Sequence, residues 1–224
     1  PIPLAQDSTL TWVGFNELGA PALFDSTGTL FVMDRAWRPG QARWIPALDT
    51  VQALLPTRPE QSEERESRVP RARCWPIGVT STHLLGLLLP TSQTYPNTAA
   101  SRPVVQELAL SLCLAHHEST ATPLEEAALR TSLLASATRD ARAATGNASL
   151  GASSLPGDRS GPESLEIEAD KALLQLVQLA CKADRYARAL DGTRALHSEA
   201  TLDAALKIAS FFHLPSLADR LELV

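Results

Sequence analysis

The five histidines and three cysteines are the side chains best equipped for chemistry, and their spacing supports little of it. His116 and His117 are adjacent, so at a strand end they point in different directions and do not make a paired metal site. His83, His197 and His213 have no Asp or Cys partner at a recognisable spacing, which marks structural or surface histidines rather than acid–base catalysts. Cys74, Cys113 and Cys181 are odd in number, far apart and set among apolar residues. They form neither a disulfide framework nor a Cys-x-x-Cys metal site, and they point to an intracellular protein. Serine is plentiful without a Gly-x-Ser-x-Gly elbow, and no glycine-rich phosphate loop follows a strand. The expectation is a protein with no enzymatic activity, no cofactor and no metal, whose working chemistry is apolar surface.

That surface concentrates in the last sixty residues. Read as a helix, SLEIEADKALLQLVQLACKAD places Leu173, Leu176, Val177 and Ala180 at i, i+3, i+4 and i+7, one complete core-facing stripe. Leu174 and Gln178 fall beside it. In SEATLDAALKIASFF the corresponding stripe is Leu202, Ala205, Leu206 and Ala209, and Ala204 and Ile208, one turn apart, add a second strip. A helix with two apolar faces must cover both.

The elements that position these helices are legible in turn. Thr9 to Phe15, Ala22 to Asp25, Thr29 to Met33 and Ala42 to Leu48 read as strands, with Asp25-Ser26-Thr27-Gly28 as hairpin chemistry. Four short strands in about forty residues is the spacing of one propeller blade. After the mixed-charge loop Glu60 to Arg68 a second set follows at Cys74 to Ser81, His83 to Pro90 and Val104 to Leu114, with Tyr95 to Arg102 as a loop. Two blades do not close a propeller, and the same strand lengths allow a small β-sandwich. Trp12, Trp37, Trp44 and Trp75 read as blade-core or blade-edge aromatics. Thr122-Pro123-Leu124-Glu125 has the pattern of an N-cap Thr, a Pro at the first helical position and a Glu three residues after the cap. Helices are predicted from there to about Ala144, at Glu163 to Ala183, at Arg185 to Ala195, from a Ser198 cap to Phe212, and at Ser216 to Val224. Helices joined by short loops are expected to be antiparallel neighbours. Residues 145–162 are rich in Gly and Ser and read as a flexible linker, in which the Asn147-Ala148-Ser149 sequon is accidental.

Composition sets outer limits. The 224 residues are 44% hydrophobic and 20% charged with a net charge of −5, which argues against an electrostatic nucleic-acid binder. The runs from Leu84 to Pro90 and from Val104 to Ala115 are too short to span a bilayer and are interrupted by Gly86, Gln106 and Glu107, so no membrane is expected. The opening Pro1-Ile2-Pro3, without Met, reads as the start of a fragment.

The opening LTWVGFNELGAPALFDSTGTLFVM, the junction SRPVVQELALSLCL and the closing LLQLVQLACKADRYARAL and TLDAALKIASFFHLPSLADRLE resemble the SepB-type C-terminal region of a replisome adaptor family. Its members are known as acidic nucleoplasmic DNA-binding protein in animals and chromosome transmission fidelity protein in yeast. The resemblance covers nearly the whole chain. It implies late blades of a WD40-like β-propeller over residues 1–120 and an antiparallel helical bundle over 121–224. It further implies a nuclear, chromatin-associated parent protein that trimerises. That protein would link the replicative helicase, through GINS, to DNA polymerase alpha by docking short helical peptides on the bundle. The positions matching the docking surface are Leu174, Gln178, Ala204 and Ile208, with Lys207 and Lys171 at the groove edge. A structural scaffold, in which the extra apolar faces only pack or oligomerise, is the alternative, and a weak DNA contact is a third reading. The chain departs from the family in containing only late blades and in having a Gly/Ser linker where the family has a more charged connection.

Overall fold

The computed structural model describes residues 2, 4–34, 41–55, 72–97, 104–114, 121–144 and 161–221. The linker at 145–160, the charged loop at 60–68, Trp37, His116 and His117 lie outside the described residues. The chain divides into two compact units, Pro1–Cys113 and Leu114–Val224.

The first unit is built of two antiparallel sheets. Strands β1 (Leu10–Phe15), β2 (Pro21–Asp25), β3 (Thr29–Asp34) and β4 (Arg43–Asp49) form a meander in sequence order, and β5 (Ala72–Val79), β6 (His83–Pro90) and β7 (Val105–Ala109) form the second. The alternation of β-branched and aromatic residues gives β1 an exposed face carrying Val13 and Phe15, while Trp12 turns inward onto the core. Central β2 is buried from Ala22 to Asp25. The β2–β3 turn is the one its residue types predict. Asp25 Oδ1 accepts from the N–H groups of Thr27 and Thr29, both at 3.0 Å, and Gly28 supplies the φ of 93° that closes it. Asp49 caps the short α1 (Thr50–Ala53), accepting from Val51 N at 2.9 Å and Gln52 N at 3.1 Å. Sequence reading did not foresee this turn of helix.

Both sheets contribute to one core, in which Ala22, Phe24, Leu30, Ala47 and Leu48 meet Val79 and Leu84. The predicted strand from Val104 to Leu114 is shorter than expected, since β7 ends at Ala109. Beyond it the chain leaves β6 and returns to the first sheet, where Ser111 N donates to Ala47 O at 3.0 Å and Cys113 N to Pro46 O at 3.1 Å. Gly86 is required where β6 pairs with β5 opposite Pro76, because a Cβ there would lie 2.5 Å from Cys74 Sγ and 2.9 Å from Trp75 O. A closed ring of blades is not among the described elements.

The second unit is helical: α2 (Thr122–Ala144), α3 (Pro162–Lys182), α4 (Tyr186–Arg194), α5 (Glu199–Phe211) and α6 (Pro215–Leu221). The start of α2 is shifted by one residue from expectation. Glu125 N donates to Ala121 O at 2.9 Å, so the first turn opens at Ala121 and Thr122 is already helical. Small residues on α2 (Ala128, Ala135) and α3 (Ala169) are buried and let helix backbones approach. The Arg139–Glu166 and Arg188–Glu125 pairs tie α2 to α3 and to α4. Val177, Ala180, Cys181, Ala189, Ala209 and Leu217 form the core shared by α3 to α6. The ends of α3 and α5 both close with a left-handed residue, Asp184 at φ 54° and His213 at φ 55°. The wrap-back bonds Arg185 N to Ala180 O (2.9 Å) and Leu214 N to Ala209 O (3.1 Å) accompany them. His213 is thus a helix terminator.

A candidate peptide groove between α3 and α5

Of the stripe predicted on α3, Val177 and Ala180 are buried, at 1% and 5% exposed, while Leu173 and Leu176 are half-buried, no more so than Leu174 beside them. On α5, Ala205 and Ala209 are fully buried. Helices α3 and α5 lie side by side and run in the same direction. Asp170 in the first half of α3 bonds Thr201 in the first turn of α5, and Cys181 near the end of α3 shares a core cluster with Ala209 near the end of α5. Helix α4 provides the return between them.

Along this pair the five predicted docking positions take different environments. Leu174 and Ala204 are half-buried at the edge of the core, and Gln178 and Lys207 are exposed, as is Lys171. Ile208 is half-buried and packs against the α3–α6 core cluster, so its side chain is engaged in the fold as well as in the strip it was assigned to. The feature sequence reading passed over is Phe211, one turn beyond Lys207, which is 76% exposed and braced by Phe212 at a centroid distance of 5.3 Å and an interplanar angle of 90°. Ala204, Lys207, Ile208 and Phe211 follow i, i+3, i+4, i+7 and form one line along α5. That spacing was readable in the sequence. The exposure was not.

Asp170 was also missed. It is 1% exposed, yet its carboxylate is fully engaged. His197 Nδ1 donates to Oδ1 at 2.7 Å and His197 N to the same oxygen at 3.0 Å. Thr201 Oγ1 lies 2.8 Å from Oδ2 and 2.6 Å from Ser198 O, so its one proton is shared between these acceptors. The expectation that His197 lacks an acidic partner is therefore corrected, because the partner sits 27 residues earlier and only helix packing brings the two together. Ser198 occupies the predicted N-cap position of α5, but its hydroxyl makes no capping bond. Among the described residues no group of His, Cys, Asp or Glu is arranged to hold a metal ion. All three cysteines are free, and burial pushes the Cys181 thiol up from its ordinary value. No helix among the described residues is long and apolar enough to cross a membrane.

Two open antiparallel sheets followed by a helical unit with an apolar line on a parallel helix pair define a mixed β-then-α protein whose distinctive side chains lie on a surface. Sequence comparison agrees with this division. The family described as minichromosome loss protein, Mcl1, middle region, matches residues 1–114, and that described as DNA polymerase alpha-binding protein Ctf4, C-terminal domain, matches residues 122–224. The chain belongs to the Mcl1/Ctf4 family, in its C-terminal region. It is 34% identical over 226 residues to minichromosome loss protein 1 of Schizosaccharomyces pombe, a match covering 98% of this chain and 25% of that protein. It is 26% identical over 219 residues to Protein ENHANCER OF LHP1 1 of Arabidopsis thaliana, covering 98% of this chain and 21% of that protein. The chain thus spans about a quarter or less of the length of these curated relatives.

Proposed function

We propose that this chain is the client-docking part of a nuclear replisome adaptor, and that a short amphipathic helix seats on the line between α3 and α5. The observation that carries the reading is the α5 line itself: a small residue at Ala204, a cation at Lys207 and an aromatic at Phe211 left 76% exposed, on the helix that runs alongside α3. In helix-in-groove recognition the guest helix lays its apolar face onto an apolar surface of the host, and an exposed aromatic there gives that face area to pack on. The match to a domain described as DNA polymerase alpha-binding supports that polymerase as one client. GINS, as the link to the helicase, is the second client in this reading. The two sheets of the first unit are read as late propeller blades of a parent protein that trimerises on the chromatin-bound replisome. Light scattering on this chain and on the longer parent protein tests the trimer.

Fluorescence anisotropy with labelled peptides tiled across DNA polymerase alpha and the GINS subunits tests the docking. Saturable binding by a tile, lost in Ala204→Glu, supports the adaptor. The scaffold reading draws on Ile208, whose packing against the core shows that part of the strip serves the fold. It gains if no tile binds. Weak duplex DNA contact is tested by titration at two salt concentrations, since phosphate contacts weaken steeply with salt.

A further inference from the structure

We infer that Asp170 is a positioning residue that sets the spacing of α3 and α5 and so holds the docking line in register, an inference that rests on reading that line as the client groove. The contact between Asp170 and Thr201 stands at one end of both ridges. On α3, Asp170, Leu174 and Gln178 follow i, i+4, i+8; on α5, Thr201, Ala204 and Ile208 follow i, i+3, i+7. The separation of the helices where Asp170 and Thr201 meet therefore fixes where the next turn of each ridge lies.

Chemistry makes the contact stiff. A carboxylate that is 1% exposed cannot draw on bulk water, so each donor it loses must be replaced by movement of the protein or entry of a water molecule. Its donors come from two places that belong together, the His197 N–H and ring N–H before the start of α5 and the Thr201 hydroxyl within its first turn. The carboxylate also faces the N-terminal end of α5, the end of a helix that favours negative charge. Two N–H donors of His197 and the shared hydroxyl of Thr201, all from one helix start, converge on one oxygen pair of the neighbouring helix and fix both the distance and the axial slide of α5 along α3.

Thr201→Val keeps the shape and removes the hydroxyl, while Thr201→Ser keeps the hydroxyl. In the full chain, methyl NMR without any ligand is expected to show Thr201→Val displacing the signals of Leu174, Ala204 and Ile208, with Ala135 on α2 unmoved and Thr201→Ser restoring the wild-type positions. The affinity of the tightest-binding polymerase alpha tile is expected to fall roughly tenfold in Thr201→Val and to recover in Thr201→Ser, the scale of one hydrogen bond to a charged group. Unchanged signals at Leu174, Ala204 and Ile208 in a folded Thr201→Val overturn the inference, and so does displaced signals with unchanged affinity. If no tile binds the wild-type chain, the docking reading fails, and the ligand-free signals alone decide whether Asp170 sets the spacing. Should Thr201→Val not fold, His197→Ala, which removes the ring donor from a side chain 29% exposed, takes its place, with His197→Asn as the conservative rescue. Spacing unaltered in His197→Ala then overturns the inference.

Discussion

Charge placed at Ala204 and charge placed at Ile208 should have opposite consequences, although the two residues are one turn apart on α5. Ala204 is half-buried at the core edge, and a glutamate there can swing its carboxylate into water. Its stability cost should stay within the ~0.5 kcal/mol typical of surface changes. Ile208 packs against the cluster of Val177, Ala180, Cys181 and Ala209. Truncating a fully buried Ile costs about 2–5 kcal/mol, so half of that, roughly 1–2.5 kcal/mol, is the loss expected from Ile208→Glu before any cost of holding a carboxylate against an apolar cluster. With a urea slope of about 1–3 kcal/mol per molar, that is a midpoint lowered by roughly 1 M, against a few tenths for Ala204→Glu. Urea titration followed by circular dichroism at the helix band measures both. Peptide anisotropy on the same samples should show Ala204→Glu weakening a client tile at least about tenfold, or ~1.4 kcal/mol. Equal loss of stability in the two variants would refute the reasoning, since Ala204 would then be as much a core residue as Ile208. Two folded variants with undiminished binding would refute it from the other side.

Phe211→Ala should leave the urea midpoint almost unmoved, because the ring is 76% exposed, while weakening the client tile by about 1 kcal/mol or more; an unchanged affinity in anisotropy would remove Phe211 from the site. Gly86→Ala should cost about 1–3 kcal/mol in thermal or urea unfolding, because the added methyl would meet the Trp75 carbonyl at 2.9 Å, and adding Cys74→Ala should give only partial relief since that carbonyl is backbone. Burial pushes the Cys74 thiol up to about 11 from 9.0, so the folded chain keeps a proton the unfolded chain loses. The associated stability is present below pH 9.0 and is lost as pH rises toward 11, and urea midpoints from pH 8 to 11 should fall less steeply in Cys74→Ala. Of the three thiols, Cys113 is the exposed one and should react first with a thiol reagent at pH 8, followed by mass spectrometry.

Much of the backbone was readable because its signals are local. The strand from His83 to Pro90 has the predicted bounds, and the helix after Ser198 starts where its cap residue falls, since alternation and turn chemistry act within a few residues. What was not readable depends on separation. Nothing in the thirty residues around Asp170 announces that His197 and Thr201 will converge on it; that follows from α4 acting as a return, which is a property of packing. The exit of the chain from β7 to the first sheet escaped for the same reason, as Ser111 and Cys113 donate to carbonyls more than sixty residues earlier. Apolar character at Ile208 was evident, but whether it faced a neighbour or a groove required the neighbours.

That exit has a consequence for the protein's birth on the ribosome. The first sheet is complete in sequence by Asp49, but the residues that cover its inner face, Val79, Leu84, Leu108, Leu110 and Leu112, arrive later, and the last tie to it is the Cys113 bond to Pro46. At about 5–20 residues per second, the 64 residues from Thr50 through Cys113 take roughly 3–13 s to synthesise. For that interval Phe24, Leu30 and Leu48 are on a nascent sheet whose cover is still being translated, and holding that surface apart from other chains falls to whatever chaperones meet it at the tunnel exit.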